Sequence, residues 1–136
     1  MNKLVQAIAR LSMLMESTEE EAKNKFDLKD LTLTQMNYLE MISHLGHPNL
    51  TELALSLKLS KPTVTVAVGK LIKSNLVRKE RSIDDRRNSR LYLTERGQLI
   101  NKMHSYAHQK MAKFISGRLE RNEIEFLIQI FNKVMS

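Results

Sequence analysis

Two groups of residues have types and spacing suited to chemistry on a partner. The first runs Ser60-Lys61-Pro62-Thr63-Val64-Thr65-Val66 and continues through Gly69, Lys70 and Lys73. On a 3.6-residue period Val64, Ala67, Val68, Leu71 and Ile72 share one side. Lys61, Thr63, Thr65, Val66, Gly69, Lys70 and Lys73 fall on the other. That face combines small hydroxyls, a methyl-bearing residue, a glycine and cations. It suits a nucleic-acid groove: methyls can touch thymine methyl groups, and hydroxyl and ammonium groups can meet base edges or phosphates. Gly69 adds no side chain there and permits close backbone approach. The second group is Arg86-Arg87, directly after Asp84-Asp85 in a charged turn, with Arg90 beyond. A projecting turn tipped with arginine can enter a minor groove, where guanidinium meets negative potential. Asp85 could hold Arg87 extended, although a plain solvated turn uses the same residue types.

A third pattern is weaker. His104 and His108 lie four apart on a predicted helix and share a face, a spacing that suits a metal pair. A third ligand would come from His44, His47 or Glu40 by chemistry alone. Histidines also sit at helix seams as hydrogen-bonding residues, so no metal site and no cofactor is assigned. Enzymatic signatures are missing: there is no glycine-rich phosphate loop, no zinc-protease spacing and no nucleophile–base pair. The expectation is a non-enzyme with no catalytic residues.

The elements that must position these residues come from one chain of 136 residues, about one domain. Its 42% hydrophobic and 27% charged composition is ordinary for a globular protein and argues against disorder. With no cysteine, disulfides, thiolate metal sites and thiol redox sensing are excluded. No apolar run approaches the ~20 residues of a membrane span, and the start lacks a secretory h-region, so a cytoplasmic protein with no membrane partner is expected. The net charge is +7, and residues 60–96 account for +6 of it, with ten basic residues against four acids. Such concentration suggests a polyanion, though a solvated basic face is the alternative. Aromatics make up 5% of the chain and Tyr92 is the only one in 60–96, which disfavours RNA stacking.

Turn signals at Gly46-His47-Pro48-Asn49 and Ser82-Ile83-Asp84-Asp85 divide the chain. A first helix is predicted from Leu4 to about Lys25, with Leu4, Ile8, Leu11 and Met15 on one face. A second opens at Thr32, with Gln35 at capping-box spacing, and carries Met36, Leu39, Ile42 and Leu45. A short third helix, capped by Asn49 or Thr51, turns Leu53, Ala54 and Leu57 inward. Ser60 caps a fourth running to about Ser74, with Pro62 tolerated in its first turn and Asn75 as the left-handed residue beyond. Val77–Ser82 and Arg90–Leu93 read as two short strands. Thr94 caps a helix over about Glu95–Ser116, and Asn122 with Glu125 opens the last. The class is mainly α with a small β-hairpin (α+β), and residues 50–75 have helix-turn-helix patterning.

From about residue 31 to 115 the sequence resembles the winged-helix regulators of the multiple-antibiotic-resistance regulator (MarR) family. The resemblance rests on Leu53-Ala54 with Leu57, on Ser60 through Leu71, on Asp85-Arg86-Arg87, and on Leu93-Thr94-Glu95-Arg96-Gly97. It implies a winged helix-turn-helix with N- and C-terminal dimerisation helices: residues 1–30 and 95–136 for association, and 31–94 for DNA. It implies an obligate homodimer that binds double-stranded DNA at palindromic operators as a ligand-responsive repressor. The recognition helix would lie on Lys61–Ser74 and the minor-groove arginine on Arg87. Under this reading Lys61, Thr63, Thr65 and Val66 meet bases, and Ser60, Lys70 and Lys73 meet phosphates. Pro62 starts the helix, and Arg86 sits beside Arg87. Met13, Met15, Met36, Met41, Met103 and Met111 would border the family's usual effector pocket, or fill an ordinary core. His104, His108 and Gln35-Met36 also look similar to the fatty-acid-synthesis repressor branch, without naming an effector. Asn75 stands where the family often has Gly, and Lys79 where it often has Arg. The alternatives are a winged-helix module for RNA or protein, and a metal-responsive member of the same family.

Overall fold

The computed structural model describes residues 2–26, 31–81, 83 and 88–136. Along the chain it contains α1 (Asn2–Phe26), α2 (Leu33–Leu45), α3 (Leu50–Leu57), α4 (Lys61–Lys73), β1 (Val77–Arg81), β2 (Ser89–Leu93), α5 (Glu95–Ser116) and α6 (Arg121–Met135). Six helices and one antiparallel hairpin are therefore present among the described residues, the expected class and order. The chain divides into two units, Lys23–His104 and Met1–Ala22 with Ser105–Ser136.

In the Lys23–His104 unit each helix start is fixed by a side chain. The Thr32 hydroxyl accepts from the Gln35 N–H at 3.1 Å, and the Gln35 side chain accepts from the Thr32 N–H at 3.1 Å, closing the capping box. Asn49 accepts from the Glu52 N–H at 2.7 Å, so Asn49 and not Thr51 caps α3. Ser60 accepts from the Thr63 N–H at 3.3 Å and Thr94 from the Gly97 N–H at 3.0 Å. These bonds satisfy donors that the first helical turn leaves unpaired.

Helix α4 ends in a Schellman turn. The Leu76 N–H donates to the Leu71 carbonyl at 2.9 Å and the Asn75 N–H to the Ile72 carbonyl at 3.0 Å. Asn75 between them has φ 59°, a left-handed position that asparagine tolerates. Leu71 and Leu76 are both buried, which supplies the apolar contact this motif uses. The core of the unit gathers Leu39 and Ile42 of α2, Leu53 of α3, Val64 and Val68 of α4, and Leu91 of β2. Strand pairing runs from Val77↔Leu93 to Arg81↔Ser89.

Several expectations need correction. Ile72 is 38% exposed and Ala67 is only half-buried, so the apolar side of α4 narrows to Val64, Val68 and Leu71. The helix seats three residues against the core, and the period alone overstated the width of that stripe. Leu57 and Leu45 are half-buried. On α5, Leu99 and Phe114 are exposed. The last helix starts at Arg121 and not at Asn122, because Glu120 with Glu123 forms the capping box: the Glu120 N–H donates to the Glu123 carboxylate at 2.9 Å. The strands are Val77–Arg81 and Ser89–Leu93, and Ser82 lies outside the described residues.

The second unit is apolar where it meets water. Helix α6 has no buried residue, and Phe126, Ile128, Phe131 and Val134 are all exposed on it. Leu4, Val5 and Ile8 are exposed on α1.

One glycine is fixed by close approach. A Cβ at Gly97 would stand 2.1 Å from the Leu76 carbonyl oxygen, whereas one at Gly69 would meet nothing within 4 Å. Gly97→Ala should therefore destabilise the fold by about 1–3 kcal/mol, the cost of overpacking. Gly69→Ala should stabilise it by up to about 1 kcal/mol through helix propensity. Urea unfolding of the two variants checks the opposite signs.

Candidate nucleic-acid interface

The side chains of α4 separate cleanly. Val64, Val68 and Leu71 face the core, while Lys61, Pro62, Thr63, Thr65, Val66, Lys70 and Lys73 line the outer side together with the cap, Ser60. Val66 is 61% exposed, a large apolar side chain in water amid cations. Two hydroxyls have local duties. Thr65 donates to the Lys61 carbonyl at 2.8 Å, and the Ser60 and Thr63 hydroxyls lie 2.8 Å apart. The Thr65 hydroxyl bonded back along the helix holds its χ1 rotamer, which favours a fixed position for its methyl group. Lys61, Lys70 and Lys73 have no side-chain hydrogen bond or ion pair among the described residues.

The hairpin is tied to the body by contacts that a local reading of the sequence missed. The Arg90 guanidinium donates to the Glu52 carboxylate at 3.0 Å and to the His47 carbonyl at 3.4 Å. The Asn49 amide donates to the Asn88 side-chain oxygen at 3.1 Å, and the Leu91 N–H to the Pro48 carbonyl at 2.9 Å. The His47 ring stacks on Tyr92 with centroids 4.0 Å apart, and the Arg78 guanidinium lies 4.8 Å from the Tyr92 ring centre. The base of the hairpin is thus clamped to the α2–α3 turn. The turn residues expected to reach a partner, Arg86 and Arg87, and the neighbouring Asp84 and Asp85, lie outside the described residues. The signals for these clamping contacts were residue types at separations near forty, which periodicity does not read.

On the other flank of α4 a cleft of about 410 Å³ opens against the start of α2, lined by Thr34, Tyr38, Val66 and Lys70 among others. Tyr38 is only 3% exposed, and its hydroxyl has no hydrogen-bond partner among the described residues. Burial raises its pKa above the usual 10.0 by penalising the phenolate. Of the third ligands considered for His104, Glu40 meets it, with Nε2 of the buried imidazole 3.0 Å from a Glu40 carboxylate oxygen. No helix among the described residues is long and apolar enough to cross a membrane.

Three helices, a tight helix-turn-helix and a two-stranded wing define a winged helix-turn-helix. Residues 31–89 match the MarR family. YpoP of Bacillus subtilis (strain 168), an uncharacterized HTH-type transcriptional regulator, is 27% identical over 109 residues, covering 78% of this chain and 75% of that protein. FabT of Streptococcus pneumoniae, solved in complex with DNA, superposes with a TM-score of 0.83 at 22% identity, covering 98% of this chain and 91% of FabT. A MarR mutant from E. coli complexed with operator DNA gives 0.67 at 18% identity, covering 99% and 97%.

The raised Tyr38 pKa fixes the sign of a pH effect. Above about pH 10 the unfolded chain ionises Tyr38 while the folded chain keeps it neutral, so its contribution to stability is lost as pH rises. Tyr38→Phe should lose less stability than the parent on passing from about pH 9 to 11. Thermal melts across that range check this, and an ultraviolet titration of the variant should lack one phenolate step.

Proposed function

We propose that this protein is a homodimeric repressor that binds palindromic double-stranded DNA and releases it on binding a small-molecule effector. Helix α4 lies in the major groove, with Lys61, Thr63, Thr65 and Val66 toward base edges and Ser60, Lys70 and Lys73 toward phosphates. Pro62 sets the first turn of that helix. Arg86 and Arg87, beyond the clamped base of the wing, enter the adjacent minor groove. The observation that carries this reading is the outer face of α4, where three lysines without intramolecular side-chain partners among the described residues and the exposed Val66 stand together over a buried Val64, Val68 and Leu71. Solvated surface would not need an apolar side chain amid cations, whereas a groove lined with thymine methyls and phosphates uses both.

Pairing is supported by the apolar faces of α1 and α6. A helix of 15 residues with no buried side chain gains little packing energy within its own chain, and isolated helices of that length are marginal in water. A second copy covering Phe126, Phe131 and Val134 supplies what is missing. Effector release is an expectation carried by the family, and thermal shift against a panel of small amphipathic acids tests it. Action on chromosomal duplex would put the protein in the cytoplasm.

Selection from a random duplex pool should return a palindrome with half-sites about one helical turn, roughly 34 Å, apart. Failure to enrich any duplex at low ionic strength, or preference for single strands or RNA, would overturn the reading. Unchanged affinity in chelator separates it from a metal-responsive one. Arg87→Ala should weaken binding to the selected duplex while sedimentation still reports two chains. Affinity unchanged at moderate salt would remove the wing from the mechanism.

A further inference from the structure

We propose that a notch between α3, the start of α4 and the wing seats one backbone phosphate of the bound duplex, held by Lys61 and Lys79. The proposal rests on the DNA-binding reading above. It turns Lys61 from the base edges to the backbone and assigns a positioning role to Lys79, Ser89 and Thr51, residues that reading does not use. The notch has a volume of about 110 Å³ and is lined chiefly by Lys61, Lys79, Thr51, Asn49, Asn88 and Ser89. Its size decides against a drug-sized ligand, whose pockets run to ~300–1,000 Å³. Its lining decides against a base, because no aromatic or broad apolar wall is present to stack one.

The electrostatics favour an anion. Two lysines border one small space, and neither has an ion pair or side-chain hydrogen bond among the described residues. The described acids of α3 and β1 are engaged elsewhere. Glu52, the only acid of α3, is 3.0 Å from Arg90, and Glu80 of β1 is 2.9 Å from Arg78. Strand alternation puts Glu80 on the opposite face from Lys79. Lys79 pairs with the buried Leu91 in the hairpin register, so it stands on the face turned toward the body.

The walls are also fixed in advance. Asn49 caps α3 at 2.7 Å and holds Asn88 at 3.1 Å, so the same side chain ties helix and wing together at the rim. A phosphate here receives two ammonium groups, with the Thr51 and Ser89 hydroxyls as further donors. Because the lysines come from α4 and β1, one phosphate would set the recognition helix and the wing in register on the duplex. Such an interaction positions without reading sequence.

The test uses the full chain and a duplex that this protein has itself selected. Lys79→Ala should make the dependence of log affinity on log salt shallower by up to about 0.9 per subunit, the full change for one phosphate left without a cation. Affinity should fall equally on selected and unselected duplexes, and Lys79→Arg should restore the parent slope. Replacing single phosphates by neutral methylphosphonate should reveal one position per half-site whose neutralisation weakens the parent more than it weakens Lys79→Ala, which keeps only Lys61 there. Lys79 is exposed, so circular dichroism should report an unchanged fold. A parent-like slope in Lys79→Ala, a weakening confined to particular base pairs, or no such coupled phosphate would overturn the seat while leaving DNA binding intact. A parent protein that selects no duplex overturns the reading beneath it.

Discussion

The carbonyl of Leu76 is the point on which the Lys23–His104 unit is hinged together. It accepts the Thr94 N–H at 3.1 Å, and Gly97 of α5 passes so close to it that a methyl group would not fit. One residue earlier, the Asn75 carbonyl accepts the Thr94 hydroxyl at 2.7 Å, and the Ser74 carbonyl accepts from Arg96 at 3.2 Å. Three consecutive carbonyls at the end of α4 are thereby engaged by residues at the start of α5. The hairpin leaves and returns through this junction, with Val77 paired to Leu93. The left-handed turn at Asn75 lets the chain leave α4 and enter β1 immediately, without a loop that could flex. This gives the L-T-E-x-G pattern a physical meaning: threonine caps α5 and bonds back to the end of α4, and glycine allows the two backbones to touch.

Seven of the ten cations of residues 60–96 divide by chemistry; Arg81 is exposed, and Arg86 and Arg87 lie outside the described residues. Arg78, Arg90 and Arg96 bond inside the molecule, to Glu80, Glu52 and the Ser74 carbonyl, and Arg78 also lies over Tyr92. Lys61, Lys70, Lys73 and Lys79 have no such partners among the described residues. A guanidinium presents a planar fork that several fixed acceptors can fill at once, so arginine suits the joints of the wing. An ammonium is a strongly hydrated point charge on a flexible stem, which suits a phosphate whose position varies by fractions of an ångström. Those seven cations are therefore two populations, one that builds the scaffold and one without partners among the described residues.

What the sequence made legible follows the range of the interactions. The caps at Thr32, Asn49, Ser60 and Thr94 and the left-handed Asn75 are arrangements within a few residues, and each was readable from local spacing, Asn49 as one of two candidates with Thr51. The face of α4 was readable too, except at its edge. Ile72 is periodic with the core residues but exposed, because the helical stripe extends past the surface it covers. The clamp on the wing was not readable. Arg90 with Glu52, Asn88 with Asn49, and Tyr92 with His47 join residues about forty apart, and nothing in their own neighbourhoods marks them as partners. Conversely Lys79, seen in the sequence only as a substitution for the family's arginine, acquires a role once the fold puts it beside Lys61.

The exposed apolar helices bear on how such a unit could discriminate sites. A single recognition helix with four or five reading side chains contacts a few base pairs, and each mismatch is worth only about 1–3 kcal/mol. Against a genome of competing sites one copy would be diluted, and two copies held at a fixed spacing would read twice as many positions in one event. That gain requires rigidity on both sides of the coupling. The Leu76 junction and the wing clamp supply it within the Lys23–His104 unit. The apolar faces of α1 and α6 are the surface from which a rigid link between copies would be built. A link of exposed lysines would be loosened by salt, whereas burial of Phe126, Phe131 and Val134 would not be, since apolar burial is not screened. Under the proposed pairing, rising salt would strip the duplex from the protein while leaving the pair of chains together.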